Sequence, residues 1–145
     1  MSTTTPDLPF GAQLIGRTEK SLDAVLKRVL AGSGLSEPEY VALRVCADRA
    51  GAPRADVAAQ LAAAFRRGDD HAGQLLERLS SAGMINAEQA APVELTPAGR
   101  ELHARLVAET DVIAGRLWGD LPAEDLAITG RVLSTVLARA ATEPA

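Results

Sequence analysis

Half of the usual chemical repertoire is scarce in this 145-residue chain. There is one cysteine, Cys46, so an internal disulfide is excluded, and a reducing cytoplasm is the expected setting. The two histidines, His71 and His103, lie far apart, and no HExxH or CxxC spacing occurs, so no metal site or cofactor is expected. No glycine-rich phosphate loop and no nucleophile-elbow serine appears, which leaves enzyme chemistry without a foothold. Aromatics make up only 3%: Phe10, Tyr40, Phe65 and Trp118. No apolar run approaches the length of a membrane span, and the polar start MSTTTPD lacks a secretory pattern. The net charge of −4 offers no global attraction to nucleic acid or to anionic lipid.

What the chain does have is aliphatic. The hydrophobic share is 47%, mostly Leu, Val and Ala, a composition that favours helices and suffices for one domain with its own core. The opening, 1–7, is polar and expected to be frayed. Apolar positions Ile15, Leu22, Val25, Leu26 and Val29 then recur at helical spacing from about Leu8 to Ala31, before the Gly32-Ser33-Gly34 break. The sequence "SEPE" that follows is a capping box with Ser36 as N-cap, starting a helix from Glu37 to about Ala50. A third helix is predicted over Arg54 to Phe65, and a fourth over about Asp70 to Ala82, closed by Gly83. Met84–Ile85 and Pro92–Leu95 read as two short strands joined by "NAEQAA". Thr96-Pro97 reads as N-cap and first position of a long helix reaching Trp118, and Pro122 opens a last one.

Three helices followed by a small hairpin make a winged helix-turn-helix. The expected fold is therefore mainly α, with long flanking dimerisation helices and a small two-stranded wing. The flanking helices carry more apolar surface than the small lobe can cover, which points to pairing with a second copy. The single domain, 1–145, divides into a dimerisation lobe, 8–35 and 97–145, and a winged helix-turn-helix lobe, 36–96. The dimer seam is assigned to Ile15, Leu22, Leu106, Ile113, Leu117, Trp118, Leu133 and Leu137.

On "LLERLSSAGMI" (Leu75 to Ile85), "VELTPAGREL" (Val93 to Leu102) and "LPAEDL" (Leu121 to Leu126), the chain resembles the multiple-antibiotic-resistance regulator (MarR) family of bacterial transcription factors. "LTPAGREL" is the most specific of these, because it marks the return strand of the wing entering the long dimer helix. The resemblance covers nearly the whole chain. It implies a homodimer that binds a pseudo-palindromic operator in double-stranded DNA, most often as a repressor. It also implies, for many members, a small aromatic or phenolic effector that releases the DNA.

Two departures from the family pattern stand out. Its wing usually carries arginine, whereas Ile85 to Leu95 holds only Glu88 and Glu94 as charged residues and is shorter. Between Leu61 and Leu75 the chain is longer than usual, filled by "LAAAFRRGDD".

On the expected reading head, Gln74 suits adenine, and Arg78 suits a phosphate. His71 is a candidate donor to guanine or phosphate, or else a solvent-facing residue. Arg66 and Arg67 are either a phosphate clamp or a solvated helix end, and Asp69-Asp70 suit the helix dipole. Over Ser36 to Thr96, six arginines face nine acidic residues, a net charge of −3 where a DNA-binding surface is normally positive. The alternative to a regulator is therefore a dimer of this fold that has lost DNA binding and serves as a small-ligand-binding or protein-interaction module. His103 is read as a packing residue or an effector or pH sensor, and Cys46 as a small buried hydrophobe. Trp118 is either an anchor of the dimer core or part of an effector pocket.

Overall fold

The structure, a computed structural model, describes residues 7–144. The start of the polar opening, 1–6, lies outside the described residues. Six helices follow in order: α1 (Ala12–Leu30), α2 (Glu37–Asp48), α3 (Arg54–Phe65), α4 (Asp69–Ser81), α5 (Pro97–Trp118) and α6 (Ala123–Thr142). The chain forms two compact units, Met1–Thr110 and Asp111–Ala145, with the boundary inside α5.

In the first unit, local chemistry sets where the helices begin and end. Ser36 Oγ accepts from the Glu39 N–H at 3.3 Å, and Glu39 Oε1 accepts from the Ser36 N–H at 3.4 Å, completing the expected capping box of α2. Helix α4 stops at a left-handed Gly83 (φ 76°), where the Met84 N–H bonds the Leu79 carbonyl at 2.9 Å and the Gly83 N–H that of Ser80 at 3.0 Å. Helix α3 ends in the same way, but its left-handed position is occupied by Arg66 (φ 54°). At the start of α5, Thr96 Oγ1 accepts from the Gly99 N–H at 3.0 Å, as expected of an N-cap.

One continuous core joins these elements. Leu43 and Cys46 of α2, Val57 and Leu61 of α3, and Leu75 and Leu79 of α4 are fully buried. Ile85, Val93 and Leu95 close it from the wing side, and Leu30 of α1 and Leu106 of α5 complete it. Leu106 is a correction to the expected dimer seam. At 1% exposure, one turn beyond the core-packed Leu102, it serves this unit's own interior.

The wing is the second correction. No strand forms among the described residues, and the expected pair reduces to a single antiparallel bridge, Ile85 to Leu95. The bridge is flanked by Asn86 N–H to the Glu94 carbonyl and Thr96 N–H to the Met84 carbonyl, each at 3.0 Å. A longer ladder needs the reciprocal bond from the Glu94 N–H to the Asn86 carbonyl. Instead, the Glu94 N–H donates to Asn86 Oδ1 at 3.0 Å, while Asn86 Nδ2 donates to the Pro92 carbonyl at 2.7 Å. Val93 bonds elsewhere: its N–H reaches the Ala52 carbonyl (2.9 Å), and its carbonyl takes the Gly51 N–H (2.8 Å). The backbone groups that would extend a hairpin are already engaged.

Behind the wing, α5 approaches so closely that a Cβ at Gly99 would lie 2.0 Å from the Met84 carbonyl oxygen. Only glycine fits there.

The second unit holds the last turns of α5, the turn around Gly119 and Pro122, and α6. A Cβ at Gly119 would lie 2.5 Å from the Gly115 oxygen, so the turn after α5 takes glycine there. Glu124 and Asp125 in the first turn of α6 and Arg139 in its last complement the helix dipole. No residue of α6 is buried.

Candidate nucleic-acid interface

Helix α4 is strongly two-sided. Ala72, Leu75, Leu76 and Leu79 fill the core, so Gln74 and Arg78, one turn apart, share the exposed face with Asp70, Gly73 and Glu77. Gln74 offers the paired donor and acceptor that adenine's major-groove edge requires, and Arg78 a phosphate or guanine contact. Asp70 and Glu77 on the same face repel a polyanion.

At the entrance of α4, Arg66 and Arg67 are exposed, and Gly68 caps the helix with no side-chain acceptor. The left-handed backbone at Arg66 turns the chain sharply between α3 and α4. It leaves both arginines two to three positions ahead of the first residue of α4.

His71 departs from the sequence reading. It is half-buried, and its ring meets that of Phe65 edge-on, with centroids 5.6 Å apart and planes at 81°. That contact joins the end of α3 to the first turn of α4, so His71 packs the turn and is not the fully solvent-facing side chain that one reading expected.

Around the wing, Glu88 and Glu94 are exposed. Cations reach the loop from other elements: Arg100 of α5 donates from Nη1 to the Leu95 carbonyl at 2.8 Å. Arg54, in the first turn of α3, donates from Nη2 to the Asn86 carbonyl at 3.0 Å and to the Glu88 carbonyl at 3.4 Å. The sequence reading counted Arg54 only as one charge of the lobe. Its partners lie 32 and 34 residues away, beyond the reach of any periodicity.

Burial pushes the Cys46 thiol up to about 11, against a smaller opposing effect of the Arg54 charge. It stays protonated and behaves as a core side chain. A cleft of about 340 Å³ opens in the first unit between the end of α1 and α5, lined by Arg28, Ser33, Arg105 and Glu109 among others. His103 is half-buried and does not line it. No group of His, Cys, Asp and Glu among the described residues has the arrangement of a metal site.

The residues assigned to a dimer seam, Leu106 apart, keep apolar surface. Leu22 is 38% exposed, Trp118 43% and Leu137 72%, with Leu117 and Leu133 also exposed and Ile15 and Ile113 half-buried. Among the described residues, no helix is long and apolar enough to cross a membrane.

A helix-turn-helix whose second helix offers a polar face, followed by a wing and a long helix, defines the winged helix-turn-helix class. Solved structures narrow it further. The chain is similar to the MarR family protein Rv2887 of Mycobacterium tuberculosis in complex with DNA, with 27% identity over 90% of this chain and 98% of that one, at a TM-score of 0.67. The complex of Rv2887 with salicylic acid gives 27% identity, 90% and 99% coverage and a TM-score of 0.62. The Staphylococcus aureus MepR–DNA complex shares the fold at a TM-score of 0.72, with 16% identity over 90% and 96% of the two chains. No protein-family model matches the chain, and no curated protein matches it either. The fold is that of MarR family winged-helix regulators, as the motifs from Leu75 to Leu126 implied.

Proposed function

We propose that this chain is a DNA-binding transcription regulator that works as a homodimer, with α4 in the major groove and no catalytic role. The observation that carries this reading is the exposed face of α4. It offers Gln74 and Arg78, with Arg66 and Arg67 at its entrance, on a scaffold similar to a DNA-bound neighbour. Two such helices in a symmetric dimer match a pseudo-palindromic operator. Repression follows if that operator overlaps a promoter.

The dimer is supported by the apolar residues that α1, α5 and α6 each leave exposed, since a helix face that keeps large apolar side chains in water suits an interface. A releasing effector is supported by the cleft near Arg28 and Arg105, whose guanidinium groups suit a carboxylate, and by the salicylic acid complex of the similar Rv2887.

A second reading, a dimer that binds a ligand or a protein but no DNA, is favoured by one feature. The wing has no cation of its own, and Asp69, Asp70 and Glu77 crowd the face of α4. Binding of the purified full chain to DNA fragments from its own upstream region, at low and moderate salt, separates the two. Specific binding that weakens as salt rises supports the regulator, because phosphate contacts release counterions. Absence of binding at low salt by a folded dimer supports the second reading.

A further inference from the structure

The wing lacks two things: a positive charge of its own, and the ladder donor that a longer hairpin would bring to the Asn86 carbonyl. Glu88 and Glu94 are its only charged residues. The Asn86 carbonyl has lost its ladder partner, because the Glu94 N–H is held by the Asn86 side chain. What remains is long: Ser80 Oγ donates to the Asn86 carbonyl at 3.4 Å, and the Ala91 N–H to that of Glu88 at 3.3 Å. Arg54 meets both needs from below. Its Nη2 donates to the Asn86 and Glu88 carbonyls, and its charge stands close to the two carboxylates' loop. Nε of the same guanidinium is buried without a hydrogen-bond partner. A surface arginine escapes that cost by turning to water, so this side chain is held in place by packing between α3 and the wing.

We propose that Arg54 is a positioning residue of the wing: anchored on α3, it ties the Asn86 and Glu88 carbonyls together with one charged donor that the shortened loop does not carry itself, and so fixes how the wing meets DNA. Its functional half rests on the DNA-binding reading, whereas the strut itself does not. Arginine is suited to the task because its planar fork is pre-organised and always charged. A lysine supplies the charge but not the fork.

The test uses the full chain as wild type, Arg54→Gln and Arg54→Lys, with amide exchange and DNA binding measured over a range of salt. In Arg54→Gln, exchange at the Asn86 and Glu94 amides is expected to rise about tenfold, on the scale of one lost charged hydrogen-bond partner, with α2 and α4 amides unchanged. DNA affinity falls by a similar factor, while the slope of log affinity against log salt stays the same, since no phosphate contact is removed. Arg54→Lys recovers part of the affinity.

Unchanged exchange at the wing overturns the proposal. So does a slope reduced by about one, which marks a direct phosphate contact. If Arg54→Gln unfolds the unit, Arg54→Lys decides by the same exchange comparison. If the wild type binds no DNA, the DNA-binding reading and the functional half fail together, and the exchange measurement still decides whether Arg54 holds the wing.

Discussion

Residues 7–110 and 111–144 use the same aliphatic alphabet to opposite ends. In the first unit, Leu43, Leu61, Leu75 and Leu79 are wholly buried, and the helices close on one another. In the second, Leu126, Val132, Leu133 and Val136 recur just as regularly along α6, yet each stays more than a third exposed. Periodicity therefore identifies a face but not what covers it. The first unit buries its own apolar side, whereas α6 leaves its apolar side exposed, the surface that the proposed dimer would cover.

The largest effect that sharpens this contrast is expected in the core. Leu79→Ala removes a fully buried side chain and should cost about 2–5 kcal/mol in chemical denaturation. The matching truncation at Leu137, 72% exposed, should leave the unfolding of a dilute chain nearly unchanged. Leu133→Asp should instead raise the dimer dissociation constant about thirtyfold, the equivalent of ~2 kcal/mol at an interface hot spot, as read by sedimentation. If dimer dissociation is unaltered, the partner does not sit on α6.

Gly99→Ala forces a methyl group against the Met84 carbonyl and should destabilise the first unit by about 1–3 kcal/mol, the range for overpacking. Arg66→Gly acts in the other direction. It relieves a left-handed backbone that glycine adopts freely, for a gain of about 0.5–1 kcal/mol in thermal unfolding. It also removes one proposed phosphate contact, so DNA affinity should fall as stability rises.

The smallest effect is a pH dependence where α1 meets α2. Asp23 hydrogen-bonds Glu37 and bridges Lys27 at 2.8 Å, and those two bonds hold its carboxyl below the usual value. The bond to Asp23, then burial and the Asp23 charge, push Glu37 up. Two carboxyl groups so joined share one proton. The stability owed to Glu37 is complete below its ordinary value and is lost as pH rises through its raised one. That owed to Asp23 is present above its ordinary value and disappears as pH falls through its lowered one. The pair is therefore tightest between the two displaced values, and carboxyl NMR titration should show inflections moved in opposite directions. Glu37→Gln should return Asp23 towards an ordinary titration and abolish the upper inflection. Solvent screening keeps the stability change small.

Much of this architecture was legible where the signal is local. The capping box at Ser36, the left-handed Gly83 and the Thr96 cap each lie within a few residues of the structure they set. The failures share a cause. Leu106 and Ile113 sit on one α5 stripe, but Leu106 belongs to the unit's own core, which spacing cannot reveal. His71 read as a solvent-facing side chain because the helix wheel shows its outward phase and not the ring of Phe65 beside it. The wing read as two strands because apolar alternation does not show that Asn86 spends its side chain on the backbone groups a ladder needs. Arg54 was overlooked because its partners come from the far side of α4.

Whether α4 reads bases is tested most directly by the sequence preference of the full chain on a randomised DNA library, compared with that of Gln74→Ala. If Gln74 pairs with a base, the variant loses discrimination at one position in each half-site, by about 1–3 kcal/mol, with the remaining positions unchanged. An identical preference profile for the two proteins would contradict a reading role for this helix.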